Sequence, residues 1–102
     1  MTPELIEVNS LFFEPFIDKA FLVNSLPAPL PIILRAVQES APPYWPKEWR
    51  KPFLLIFETP RSRLMQEGIY EVYGEGFGPL SFYINPIITV DRAIQHYQAA
   101  FN

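Results

Sequence analysis

Twelve prolines in 102 residues constrain this chain more than any other feature. Proline inside a helix removes a hydrogen bond, clashes with the turn before it, and biases the preceding residue toward extended geometry. The proline spacing therefore leaves few windows long enough for a helix. One lies at the amino end, where Thr2 is a candidate N-cap and Pro3 suits the first turn. Leu5, Val8, Leu11 and Phe12 share a helical face there, and Pro15 stops the helix after about Phe13.

The rest reads as strands. Residues 16–24 predict a first strand, with Phe21 and Val23 on one face and Ala20 and Leu22 on the other. Pro27, Pro29 and Pro31 then alternate, which puts the missing N–H groups on one edge of an extended segment. Residues 32–37 predict a second strand, with Ile32, Leu34 and Ala36 opposed to Ile33, Arg35 and Val37. The apolar run Phe53–Phe57 predicts a central strand buried on both faces. Beyond a polar connection with a turn at Thr59-Pro60-Arg61-Ser62, residues 69–73 and 79–85 predict two more strands. Leu80, Phe82 and Ile84 alternate in the latter. All four glycines fall between residues 68 and 78, and Gly74-Glu75-Gly76-Phe77-Gly78 suits a hairpin loop. Residues 86–96 admit a helical turn, and residues 96–102 close the chain with Tyr97, Ala99 and Phe101 on one face. The expected fold is mainly β: one domain over residues 1–102, an antiparallel sandwich or barrel of about six strands with a short N-terminal helix.

With 49% hydrophobic and 16% aromatic residues, the chain has material for one core and lacks a disordered composition. It holds no cysteine, which excludes disulfides and thiolate chemistry. Glu4, Glu7 and Glu14 stand where a signal peptide needs positive charge, and no apolar stretch reaches the roughly 20 residues of a membrane span. A soluble cytoplasmic protein without a membrane partner is expected. The net charge of −3 argues against nucleic acid as a partner.

Chemistry is sparse. His96 is the only histidine, and no serine stands in a nucleophile setting beside it, so no catalytic residues are expected. Without cysteine, a metal site would need carboxylates; Glu67, Glu71 and Glu75 are spaced by four but fall in a strand–turn context that scatters them. The three alternate glycines at 74–78 lack the spacing and following helix of a dinucleotide loop. No metal and no cofactor are expected, and the chain is not read as an enzyme.

The best candidate for recognition is the stretch 38–52, which contains four prolines and both tryptophans. Tyr44, Trp45, Trp49 and Arg50 are of the residue types that dominate interface hot spots, and proline-stiffened aromatics lose little entropy on binding. The alternative is that the tryptophans cover an open end of the β core. Arg61 and Arg63 complete a basic segment over 47–63 that reads as solvated loops or as an anion contact.

From Pro52 onward the sequence resembles a known family. The motifs are Phe53-Leu54-Leu55-Ile56-Phe57, Pro60-Arg61, Gln66-Glu67-Gly68-Ile69-Tyr70, Gly78-Pro79-Leu80-Ser81-Phe82-Tyr83-Ile84-Asn85-Pro86, and the terminal Tyr97-x-Ala99-x-Phe101-Asn102. They are similar to those of small uncharacterised bacterial domains of about one hundred residues. Glu67 stands between that family's glutamine and glycine, and Lys19 where a glycine is common. Such domains are often encoded beside phage tail-collar-type fibre proteins, so the resemblance implies a protein partner of that kind. The expected function is a non-enzymatic interaction or assembly module for a phage-tail-like fibre, with a homo-oligomer as a further option. The alternative is a β-barrel or sandwich that binds a small ligand in an aromatic-lined pocket.

Overall fold

The computed structural model describes residues 8–25, 28–60, 64–89 and 91–101. Its six strands are β1 (Ala20–Val23), β2 (Leu30–Glu39), β3 (Phe53–Pro60), β4 (Gly68–Gly74), β5 (Phe77–Ile87) and β6 (Ile94–Phe101), preceded by a single-turn helix, α1 (Ser10–Phe13). All pairings are antiparallel, and the order β1-β2-β3-β6-β5-β4 closes through β4 and β1 into a barrel. A barrel, rather than a sandwich, resolves the edge problem of short strands, because every strand gains two neighbours.

Period-two alternation supplies the lumen. Phe21 and Val23, Leu30, Ile32 and Leu34, Phe53, Leu55 and Phe57, Val72, Leu80, Phe82 and Ile84, and Tyr97, Ala99 and Phe101 all point inward and are buried. Fully burying one such aliphatic or aromatic side chain contributes about 1.5–3 kcal/mol, so these rows carry the stability of the fold. Rings meet across the lumen at centroid distances of 5.5 Å for Phe21–Phe57, 6.4 Å for Phe57–Phe82 and 5.3 Å for Phe82–Phe101. The interior is occupied by side chains.

Several sequence expectations are corrected. The helix starts at Ser10, with Asn9 as its N-cap: Asn9 Oδ1 accepts from the Phe12 amide at 3.0 Å. Thr2 lies outside the described residues. The α-helix ends at Phe13 as expected, and Pro15 sits in a following 3-10 turn, Glu14–Phe16, at a position where its missing N–H costs nothing. That turn takes Phe16 out of the expected first strand, and Asp18, at φ 71°, redirects the chain into β1. Aspartate tolerates this left-handed conformation better than most residues. The Asp18 amide donates to Leu34 O at 2.6 Å, and its carboxylate accepts from Arg35 Nη1 at 2.9 Å.

In β2 a bulge between Leu34 and Ala36 shifts the register by one, so Val37 and not Ala36 packs against the core. Gln38 and Glu39, expected in the loop, extend this strand. Outward-facing Leu54 and Ile56 of β3 are half-buried, so that strand alternates instead of being buried on both faces. Thr59 and Pro60 belong to β3, whereas Arg61 and Ser62 lie outside the described residues. Among residues 86–96 the described positions hold strand and a turn at Arg92–Ala93 in place of a helical turn. The hairpin turn contracts to Glu75–Gly76, with Phe77 and Gly78 inside β5. Gly78, at φ 144°, is required because a Cβ would lie 2.4 Å from the Tyr73 ring.

The helical segment plugs one barrel end. Phe13 is fully buried, 5.9 Å from Phe53 and 5.6 Å from Phe101, while Phe12 and Phe16 meet Phe77 edge-on at 5.2 and 5.3 Å. Edge-to-face pairs of this kind add about 0.5–1.5 kcal/mol beyond burial. Ser10 Oγ, also buried, donates to Glu39 Oε2 at 2.8 Å and ties the helix to the end of β2. The plug brings α1 beside the loop that leaves β2.

Candidate functional site

Residues 40–52 leave the barrel and return at one point. Glu39 pairs with Phe53, and Ser40 N donates to Pro52 O at 2.9 Å, so the neck continues the β2–β3 ladder. A loop whose ends are held together is compact on its own. Its prolines start two tight turns, in which the Trp45 amide donates to Pro42 O at 3.0 Å and the Trp49 amide to Pro46 O at 3.2 Å. The turns bring the two indoles together edge-on, with centroids 5.6 Å apart.

The tryptophans are not equivalent. Trp45 is half-buried and its Nε1 donates to Arg50 O at 3.1 Å, which fixes the loop's path. Trp49 is 59% exposed and Tyr44 85%, so neither covers the core. Arg50 Nη1 donates to Val8 O at 3.1 Å, and its guanidinium lies 5.9 Å from the Phe53 ring and 5.8 Å from the Phe101 ring. Such cation–π contacts are worth about 0.5–1 kcal/mol when exposed and more when desolvated. Arg50 therefore couples loop, helix entry and barrel end.

Between loop and helix runs a groove of about 330 Å³, lined by Val8, Asn9, Ser10, Leu11, Glu39, Trp49, Arg50 and Lys51. The loop thus gathers Tyr44, Trp45, Trp49 and Arg50, while Arg61 and Arg63 lie outside the described residues. Leu11 is the residue that sequence reasoning misplaced: grouped with the apolar face of a helix, it is exposed because Phe12 and Phe13 take the core positions. Lys51 also lines a second groove along Pro42, Pro43, Trp45 and Lys47 on the other side of the loop.

His96 lies within β6. Its Nε2 is 3.6 Å from Glu58 Oε2, and the same carboxylate accepts from Arg35 Nε at 3.3 Å. The hydrogen bonds that Arg35 donates, to Glu58 first and to Asp18 second, hold it above its ordinary pKa. This partly exposed cluster clasps β2, β3 and β6 and offers no nucleophile. Among the described residues no group of three His, Cys, Asp or Glu side chains can hold a metal ion, and no helix is long and apolar enough to cross a membrane.

Glu67, Glu71 and Glu75 fall, as expected, in a strand–turn context: a bend, the strand β4 and the hairpin turn. All three are exposed on the same alternation along β4 and its flanks. The Tyr83 phenol donates to the Glu67 carboxylate, and this bond raises the Tyr83 pKa above 10.0, followed by desolvation and the charge of Glu67. A folded-state pKa above the unfolded value stabilises the fold below pH 10, and that contribution disappears as pH rises through the folded pKa. Tyr83→Phe should accordingly flatten the alkaline limb of a thermal-midpoint-versus-pH curve. Absorbance titration should show Tyr83 ionising after an unperturbed tyrosine, and Glu67→Gln should return it to the ordinary range.

The helix, the loop and the barrel end that carry this groove fall within one family match, to the Domain of unknown function DUF6916, which spans residues 9–101. The chain belongs to the DUF6916 family. No curated protein and no solved structure matches it significantly. The DUF6916 span starts at Asn9, the cap of α1, and ends at Phe101, the last residue of β6, so it takes in every strand of the barrel. That agrees with the resemblance to a small uncharacterised domain. The groove of this DUF6916 chain is built almost entirely from residues inside the match, with Val8 immediately before it.

Proposed function

We propose that this DUF6916 domain is a non-enzymatic protein-interaction module, with the proline-aromatic loop and the α1 groove as its recognition surface. The observation that carries the reading is the contrast between the two indoles. Trp45 is spent on holding the loop, and Trp49 is held by it yet 59% exposed beside an open groove. A rigid, exposed tryptophan has already paid its ordering entropy, and that is what a hot spot needs. The partner class comes from the family resemblance: the domain serves as an accessory in assembling a phage-tail-like fibre, acting in the cytoplasm on a tail-collar-type fibre protein.

The test is a binding titration against a purified tail-collar-type fibre protein encoded beside a member of the family. Trp49→Ala should weaken binding by roughly 30-fold or more, the size of a hot-spot loss of about 2 kcal/mol. Its thermal midpoint should move little, because substitutions at exposed positions usually stay within about 0.5 kcal/mol. Trp45→Ala should lower the midpoint and the affinity together, since it removes the support of the loop. Full binding by Trp49→Ala would remove the loop from the recognition surface, and no binding by the native chain would remove this partner.

A further inference from the structure

The outward row of β4 and its flanks reads Glu67, Ile69, Glu71, Tyr73, Glu75, alternating acid and apolar, and every member is exposed. Within β4 side chains spaced by two share a face, and the opposite face carries fully buried Val72 and partly buried Tyr70 packed on the core. Cross-strand neighbours add to the apolar part: Tyr83 stands opposite Ile69, and Leu22 opposite Tyr73. The carboxylates are held by Tyr83 at Glu67, by Asn24 Nδ2 at 3.0 Å from Glu71, and by Lys19 Nζ at 3.5 Å from Glu75. Each keeps acceptor capacity, since a carboxylate takes about four hydrogen bonds.

The loop end has the complementary character. Leu11, Tyr44 and Trp49 are exposed, and exposed Lys47 and Lys51 lie along the grooves that flank the indole pair. Of the ten large exposed hydrophobics among the described residues, three lie at this end and four on the β4 face. Exposed apolar side chains gathered in patches, unlike those scattered singly, mark interaction sites. The apolar patches differ in the charge beside them. Glu67, Glu71 and Glu75 with Lys19 flank one, and Lys47, Arg50 and Lys51 with Glu39 and Glu48 the other, so the two patches carry opposite net charge in a chain whose net charge is only −3.

Building on the loop as the recognition surface, we propose that the chain also recognises itself, head to tail. The lysine-flanked aromatic loop of one copy docks on the acid-and-apolar outer face of β4 in the next. Trp49 and Leu11 meet Ile69 and Tyr73, while Lys47 and Lys51 pair with the free acceptor positions of Glu67, Glu71 and Glu75. The two surfaces differ, so the contact is heterologous, and each copy keeps one of each for further growth or ring closure. Charge pairing at the rim sets register and makes the association sensitive to salt.

Sedimentation of the full chain across a wide concentration range, with two variants, tests this. The loop variant carries Trp49→Ala with Lys51→Glu, and the strand variant carries Ile69→Ser with Glu71→Lys. All four positions are exposed, and circular dichroism checks that each variant folds. The native chain should grow past the dimer and dissociate as salt is raised, and each variant alone should associate on the order of tenfold more weakly or not at all. An equimolar mixture of the two should form a discrete one-to-one dimer, because each supplies the surface the other lacks. A native chain that stays monomeric, stops at a symmetric dimer, or assembles in the loop variant as well as in the native form overturns the proposal. So does a mixture that remains monomeric. Binding of the loop variant to the fibre protein separates the two readings: if only the native chain binds it, the loop remains a recognition surface even when self-association fails.

Discussion

Phe101→Ala should lower the stability of the domain by about 3–5 kcal/mol, the usual cost of removing a buried aromatic ring. Phe101 is the last described residue of β6, yet it is 4% exposed and stacks on Phe53 with centroids 4.7 Å apart and planes 4° from parallel. It also meets Phe82 at 5.3 Å and Phe13 at 5.6 Å, so its ring joins β3, β5, β6 and the helical plug. For a domain of this size, about 1 kcal/mol corresponds to roughly 4–8 °C in thermal midpoint, so the loss should approach or exceed 12 °C. The effect should reach the loop as well. Arg50 rests over both the Phe53 and Phe101 rings, and losing one removes half of that support. Thermal unfolding of Phe101→Ala beside Phe101→Leu measures the cost; a drop under about 1 kcal/mol would mean that the terminal strand does not close the barrel.

Tyr97 should divide into two separable effects. It is fully buried in the lumen and its Oη accepts the Met65 amide at 2.8 Å, which pins residues 64–66 across the end of the barrel opposite the plug. Tyr97→Phe keeps the ring but leaves that buried N–H without a partner, at a cost of about 1–3 kcal/mol. Tyr97→Ala removes the ring as well and should cost about 3–5 kcal/mol. Hydrogen exchange at the Met65 amide distinguishes the two contributions. It should accelerate in Tyr97→Phe by more than global unfolding explains, because the local bond is lost. Equal protection in both proteins would show that the hydroxyl does not hold this segment.

The second half of the fold was legible because its physics is local. Leu80, Phe82 and Ile84, and Tyr97, Ala99 and Phe101, alternate without a break, and each row went to the lumen as period two requires. Val37 escaped the same logic because a bulge at Leu34–Ala36 inverts the alternation, and nothing in the residues around it announces an extra one. The start of the helix, though not its end at Phe13, was misplaced for a related reason. Thr2-Pro3 has good capping chemistry, but the cap is Asn9, chosen by the burial of Phe12 and Phe13 against the barrel end, a tertiary effect. At the site, Tyr44, Trp45, Trp49 and Arg50 stood out by residue type, and proline spacing placed them in one loop. Leu11 joined them only through the fold, and the division of labour between the two indoles is set by one hydrogen bond to Arg50.

If the loop is the recognition surface proposed above, scaffold and recognition are separable in this barrel. The direct measurement pairs thermal midpoint with fibre-protein affinity for Tyr97→Phe and Trp49→Ala. Tyr97→Phe should lower the midpoint and leave the affinity within about threefold, well short of a 1 kcal/mol effect. Trp49→Ala should do the reverse, losing affinity by roughly 30-fold with its midpoint almost unchanged. If affinity instead follows stability in both variants, the loop is part of the scaffold and the account is contradicted.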